Sequence, residues 1–478
     1  MEQIIQAENG ILVAETITTM INYKTYNPVR AISLKGKLLT RLVRFAFRVR
    51  SVFGKKYVYP LKGHHEDPLK MSTDERLYLG YKYYYKAIVE AEENSGIADQ
   101  FKLPLRPTIP GGFVPETTIT LTAGGDLMPY TCINAQTCAN LWDEVGEFYF
   151  SSDIVFANLE TPVDIRKKPS AVPEVMLNNM YFNGSSELFD VFSAFGKYGG
   201  YDVLSVANNH SLDQQPEGLL STLDFLTEKG IPYAGAAKSE SAYNDFPLIE
   251  RNGIKIAFLA WTFSLNMETV PAETPWLCNH ICLNEANPDI SPIVAQAKLA
   301  RERGADLVAA SLHMGCAYQP YPDQQIVDTI HRVCREAGVD LILGGHPHNP
   351  QPLSFYSFRD AETGEDRQSL IIYSLGDFVA YDIFKWCHAP LIARLQITKG
   401  NINGTKSTHI TGIQLKSIYL DATVEKGKVT QLRFRDLKQL RGSSERAKLS
   451  VDSQKELMEI IDFLDAFVLP VNQDEIMV

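Results

Sequence analysis

Histidines, carboxylates and a carboxamide recur just past apolar runs in this chain, and together they form a set of metal-ligand types. His346-Pro347-His348 follows the apolar run 339–343, and in extended backbone two imidazoles spaced by one residue point to the same side. Pro347 fixes its own φ and keeps His346 out of the helical region. Asp126, Glu160, Asn209 with His210, His313 and Asp377 are placed in the same way, each closing a strand-like run. One polar residue after a strand is ordinary. Six strand ends that deliver four histidines, several carboxylates and a carboxamide point to a metal site. Imidazole and hard oxygen donors without a thiolate candidate suit catalytic Mn, Fe or Zn more than a structural zinc. This many donors suits two divalent ions sharing a carboxylate, about 3.5–4 Å apart, which would activate water against a phosphoryl or carbonyl carbon or phosphorus. No G-x-S-x-G, P-loop or G-x-G-x-x-G offers a competing chemistry.

Such residues need strands that all end on one side. From about residue 116 the sequence alternates apolar strands with amphipathic helices, the pattern of an α/β domain. Strands are expected at 117–123, 153–157, 202–206, 255–260, 306–311, 339–343 and 369–374, all but 255–260 ending in one of the polar clusters. Helices are expected at 135–150, 185–195, 216–229, 290–303 and 322–336, with three antiparallel strands near 389–397, 412–420 and 428–433 and a terminal helix at 451–467. A long connection through Pro271, Pro275 and Trp276 could cover the site. Upstream, Ser72 to Glu75 suits a helix start, with the helix running from Met71 to Asn94. Prolines 104, 107, 110 and 115 with Gly111 and Gly112 form a linker. The expected organisation is a largely helical extension over 1–115, a core over 116–400, and strands with a helix over 401–478.

The formal charge is −11, unevenly spread: residues 1–65 hold eleven Lys/Arg against three Glu, a balance of +8, which leaves −19 for the rest. An acidic body argues against nucleic acid as a partner. Arg30–His65 contains no acid, and Arg41, Arg44 and Arg48 recur at helical spacing. Two readings follow, a helix on an anionic membrane surface or an accessory helix packed on the acidic body, and the second is expected. Glu2 and Glu8 stand where a signal peptide carries positive charge, no apolar run approaches the roughly 20 residues of a membrane span, and seven cysteines without C-x-x-C read as reduced thiols. These features predict a cytoplasmic protein.

Gly125-Asp126, Asn158-Leu159-Glu160, Ala207-Asn208-Asn209-His210, His313-Met314-Gly315, Gly344-x-His346-Pro347-His348-x-x-Gln351 and Tyr373-Ser374-Leu375-Gly376-Asp377-Phe378 together resemble the CapA family of capsule and poly-γ-glutamate synthesis proteins, similar in turn to calcineurin-like metallophosphatases. The resemblance covers about residues 116–400. It implies a four-layer α-β-β-α sandwich. It also implies that Asp126 and His348 hold one ion, that Asn209, His313 and His346 hold the other, that Glu160 bridges them, and that His210 is the general acid. Asn158, Asn208, Asp213, Gln351 and Asp377 are further site candidates on the same motifs. The sequence departs from the pattern at Met128, where phosphatases carry histidine, and at Ala317, where the family's H-W-G-x-E ends in glutamate. It departs again at Gln215 in place of the glycine of D-x-G, and at Asp377 in place of asparagine. The implied function is a metal-dependent hydrolase acting on a phosphoester or on an amide of an acidic polymer. The alternative is a metal-containing assembly or binding protein without turnover.

Overall fold

Side-chain alternation along the strands already separates two apolar layers. Strand Ile254–Thr262 sends Ile254, Ile256, Phe258 and Ala260 into one cluster and Ala257, Leu259 and Trp261 into another. A strand buried on both faces belongs to an inner layer. The computed structural model describes all residues except 1–20, 24, 54–56, 58, 60–64, 178–180, 361–363 and 470–478. The reading of Glu2 and Glu8 therefore lies outside the described residues.

In chain order, helices α1 (Leu34–Phe53), α2 (Thr73–Tyr84) and α3 (Ile97–Gln100) precede the sheets. The chain then lays down β1 (Val114–Leu127), β2 (Ile154–Leu159), β3 (Val203–Ser205) and β4 (Tyr233–Ala234) as parallel neighbours. It crosses to a second sheet with β5 (Leu248–Arg251), β6 (Ile254–Thr262), β7 (Leu307–His313), β8 (Leu341–Gly345), β9 (Leu353–Arg359) and β10 (Asp366–Ile372). It returns to the first with β11 (Asp377–Val379), β12 (Leu391–Ile402), β13 (Thr405–Glu425) and β14 (Lys428–Asp436). The orders are β14-β13-β12-β1-β2-β3-β4, with β11 beside β1, and β5-β6-β7-β8-β10-β9. The strands on either side of residue 400 thus belong to one sheet.

Phe156 of β2 stacks on Phe258 of β6 at 6.1 Å, so the sheets face each other. Helices α4 (Gly146–Phe150), α5 (Ser186–Phe192) and α6 (Gln215–Glu228) join the cluster of the first sheet, to which α5 and α6 give Phe189, Phe192, Leu219 and Leu223. Helices α7 (Ser291–Glu302) and α8 (Gln324–Ala337) set Ile293, Ala297, Ile326 and Ile330 against the second. Helix, sheet, sheet, helix is the architecture expected from the sequence.

Three local expectations fail. The helix from Met71 has the expected capping box between Ser72 and Glu75 but ends at Tyr84 rather than Asn94. Arg44 Nη1 donates to the Tyr84 carbonyl at 2.7 Å and takes an acceptor that the next turn would need. Of 135–150 only Gly146–Phe150 is helical. The carbonyls of Thr137 and Leu141 accept instead from Leu432 and Phe434 of β14, at 2.8 and 3.0 Å. His346 and His348 are not extended: their φ values are 95° and 62°. The His346 N–H is drawn to Asp126 Oδ2 at 3.3 Å, and the His348 carbonyl accepts from Asp377 N at 2.8 Å. These bonds help hold a backbone that non-glycine residues rarely adopt.

Helix α1 meets the body through Gly36, Thr40, Val43 and Phe47, while Arg41 and Arg48 stay exposed. The expected packing of the basic face on the acidic body is not formed at these two positions. Among the described residues no helix is long and apolar enough to cross a membrane.

The segment before α1 and the core meet at Glu456, on the helix Val451–Phe463. It accepts from His388 Nδ1 at 2.7 Å and Arg30 Nη1 at 2.6 Å. Burial alone would raise this carboxyl, but His388 and then Arg30 outweigh it and hold it at about 2, against 4.5 ordinarily. A depressed folded-state value means that the stabilisation is complete above pH 4.5 and is lost as pH falls toward about 2. Glu456→Ala is expected to lower the unfolding free energy by about 3–5 kcal/mol at pH 7, because it strands the Arg30 guanidinium and the buried His388 ring. Urea melts check this, and an unchanged midpoint would show that Arg30 and His388 find other partners.

Candidate metal centre

Strand register brings the ligand types together. Asp126 at the end of β1 lies level with Asn158 of β2 on one side and Asp377 of β11 on the other. In the second sheet His313 lies level with Gly345, the residue before His346. Only glycine lets β8 pass here: a Cβ on Gly345 would sit 2.9 Å from Asp126 Oδ1 and 3.1 Å from His313 Nδ1. Ligand atoms of Asp126, Glu160 and His313 lie within 4.8 Å of one another, and so do those of Asp126, His348 and Asp377. Asn209 Oδ1 is 2.9 Å from His313 Nε2, and Glu160 Oε1 is 3.4 Å from the same nitrogen. A third grouping, Asp377 with Asp382 and Cys387, is tied inward, since Asp382 accepts from Tyr83 at 2.5 Å and Tyr130 at 3.0 Å.

Supporting carboxamides fix these atoms. Asn158 Nδ2 donates to Asp126 Oδ1 at 2.8 Å, and Asn208 Nδ2 donates to Leu159 O at 2.8 Å and to Asn158 Oδ1 at 3.2 Å. His348 Nδ1 is held by Asp377 at 2.9 Å, and His210 Nδ1 by Asp213 at 2.7 Å. Phe182 stacks on the His210 ring at 4.0 Å. Gln351 commits its amide to Gln319 O at 3.1 Å and braces the loop. Met128 is buried in the apolar cluster, and Asp377 joins Asp126 and His348.

The donor set fits divalent cations. Both oxygens of Glu160, Nδ1 of His346 and Oδ2 of Asp377 are buried without a hydrogen-bond partner among the described residues. Such orphans are costly unless something satisfies them. Burial holds His313 neutral, down at about 3, and His346 at about 4, which keeps nitrogen lone pairs available. Burial also lowers His348, yet Asp377, Glu160 and Asp126 outweigh it and raise it to about 10. Asp126 is pushed up to about 7 by burial and then by Glu160, and Asp377 to about 7 by burial. Crowded carboxylates with raised values call for a positive partner.

Asn209, His210, His346 and His348 line one cleft of roughly 770 Å³, whose remaining walls include Val43, Phe47, Tyr83 and Tyr84 of the N-terminal extension. Sequence reasoning placed none of that extension at the site. It missed Glu66, whose Oε2 lies 3.3 Å from His346 Nε2, with its buried partner Lys82. It also missed Asn266, in the long connection after β6, whose Oδ1 accepts from Asn209 Nδ2 at 3.1 Å. One signal was present: Glu66 and Asp67 are the first acids after the acid-free tract.

Residues 120–382, more than half of the chain, match the family described as bacterial capsule synthesis protein PGA_cap. The chain is 27% identical over 269 residues to the capsule biosynthesis protein CapA of Bacillus anthracis, covering 55% of this chain and 59% of that one. It is 26% identical over 284 residues to the PGA biosynthesis protein CapA of Bacillus subtilis, covering 58% and 65%. It therefore spans less than two thirds of either relative. The calcineurin-like phosphoesterase YfkN from Bacillus subtilis superposes with a TM-score of 0.32 at 12% identity, over 73% of this chain and 99% of that one, too distant to bear on the reaction.

Proposed function

Because the chain belongs to this family of bacterial capsule synthesis proteins, we propose that it is a metal-dependent hydrolase serving capsule or poly-γ-glutamate production. Its substrate is a phosphoester or an amide of an acidic polymer. The observation that carries the reading is Glu160, whose two buried oxygens have no hydrogen-bond partner among the described residues, beside His313 and Asp126. Asp126, His348 and Asp377 would hold one divalent ion, and Asn209, His313 and His346 the other, with Glu160 between them; Mn, Fe or Zn suits these donors. Bound there, the ions supply a more acidic water and charge stabilisation. The side chains do the rest. Asp213 fixes Nδ1 of His210 at 2.7 Å, so Nε2 is the nitrogen left to carry a proton to the leaving group. Phe182 and the walls from the extension restrict water around it.

Metal-loaded protein assayed against phosphomonoesters, phosphodiesters and γ-glutamyl peptides tests this. Metal-dependent turnover of one class is the expected result. Full metal occupancy without turnover of any would leave an assembly or binding protein.

We also propose that α1 rests on an anionic membrane surface. Away from the body it exposes Leu34, Leu38, Leu42, Phe45, Val49 and Val52, and its end residue Phe53 is 86% exposed. The spacing of three and four residues makes one stripe, on a helix with six Lys/Arg and no acid. Binding to phosphatidylglycerol vesicles is expected, weaker with salt, absent with phosphatidylcholine, and lost in Leu42→Glu with Phe45→Glu. Absence of binding, or self-association that accounts for the stripe, would overturn the assignment.

A further inference from the structure

The N-terminal extension reaches the metal centre through Glu66, which lies outside residues 120–382. Its side chain is 2% exposed and its backbone adopts φ 54°, an uncommon conformation for a non-glycine residue. The carboxylate meets Lys82, Ala317 and His346. Oε1 takes Lys82 Nζ, whose side chain is fully buried. Oε2 accepts the Ala317 N–H at 2.7 Å and lies 3.3 Å from His346 Nε2. With Lys82 and Ala317 both donating to it, this carboxylate acts as an acceptor, so the proton of the His346 ring belongs on Nε2. The lone pair is then on Nδ1, the nitrogen that is buried without a partner among the described residues.

From this geometry we propose that Glu66 is a positioning residue for the metal centre: it fixes the His346 tautomer and ring direction that present Nδ1 to an ion. The inference rests on the metal reading above. Histidines that bind metal generally give their other ring N–H to a carboxylate or carbonyl, which orients the ring and increases its basicity. Asp377 stands in that relation to His348 within the core domain. For His346 the partner comes from 280 residues away in sequence. Lys82 of α2 and the N–H of Ala317, in the loop after β7, anchor the carboxylate at its two oxygens, so helix, loop and imidazole are locked by one side chain. The anchor point is the position at which the sequence lacks the glutamate of H-W-G-x-E. A carboxylate reaches that spot from the extension instead. The metal position of Asn209, His313 and His346 is therefore complete only when the extension is folded against the core.

Removing Glu66 alone would leave Lys82 buried and uncompensated, a change that can unfold the region. The test therefore uses Glu66→Leu together with Lys82→Met, which removes both charges. The full-length variant and wild type are titrated with Mn²⁺ and Zn²⁺ by calorimetry with elemental analysis. The metal-free proteins are compared by nitrogen NMR with ¹⁵N-histidine labelling, the His346 signal being assigned by its loss in His346→Ala. The expected result is one binding step weakened by roughly 10–100-fold with the other unchanged, and a His346 ring that no longer holds a single Nε2–H tautomer. A purely structural role would weaken both steps together and leave the tautomer alone. A folded double variant with both steps and the tautomer unchanged overturns the proposal. Wild-type protein that binds no ion overturns the metal reading itself, a distinct outcome.

Discussion

His210→Ala is expected to lower turnover by roughly 10²–10⁴-fold while leaving bound metal unchanged. The ring lines the same cleft as Asn209, His346 and His348, outside the clustered ligand atoms of Asp126, Glu160, His313, His348 and Asp377. Its Nδ1 faces Asp213 Oδ2 at 2.7 Å, and Phe182 N–H donates to the same oxygen at 2.6 Å, so the carboxylate is fixed before it fixes the imidazole. Phe182 itself then stacks on the ring. Such a ring is set to give a proton at Nε2 and has little freedom to do anything else. Leaving-group dependence is the diagnostic measurement. Substrates with acidic leaving groups need no proton and should lose little rate, whereas alkoxide or amine leaving groups should lose the full factor. Wild-type rates on a poor leaving group, or loss of metal in the variant, would take His210 out of this role.

The second large effect concerns the metal itself. His313→Ala is expected to remove one ion and spare the other, and Asp377→Asn to do the converse, as read by elemental analysis after dialysis. His313 is 1% exposed, held neutral by burial, and adjacent to Asn209 and Glu160. Few substitutions at that place could supply a nitrogen donor. Asp377 matters at the other position because Met128 offers only a buried thioether, a poor ligand for hard or borderline ions. With Asp377 beside Asp126 and His348, that position regains a third protein donor, though without the second imidazole it should remain the weaker of two steps. Unchanged metal content in both variants would remove the constellation as a metal site.

The ligand types of the candidate site were the part most visible in the chain. Strand-ending residues are legible because a strand buried on both faces reads as a continuous apolar run, and the first polar residue after it marks where the sheet stops. Asp126, Glu160, Asn209, His313 and His348 could therefore be picked out from local pattern, and strand register then set Asp126 beside Asn158 and Asp377, and His313 beside Gly345. Two expected helices were shortened for reasons that no local pattern contains. The turn after Tyr84 yields its carbonyl to Arg44, and the backbone of Thr137 and Leu141 is taken by β14, almost 300 residues away in sequence.

By itself the sequence determined the alternation of strands and helices and the donor types, since both follow from the periodicity and chemistry of neighbouring residues, while the four-layer order was implied by the family resemblance. Only the tertiary structure decided how those donors are aimed. The left-handed backbone of His346 and His348 exists because bonds to Asp126 and Asp377 help hold it, not because Pro347 prefers it. Glu66 illustrates the same division more sharply. Its own neighbourhood in the chain closes no apolar run, and it acquires a part in the site only when α2 delivers Lys82 and the loop after β7 delivers Ala317 to the same carboxylate. A contact made across 280 residues leaves no spacing to read; it is fixed by packing, which places a charge where two other groups require one.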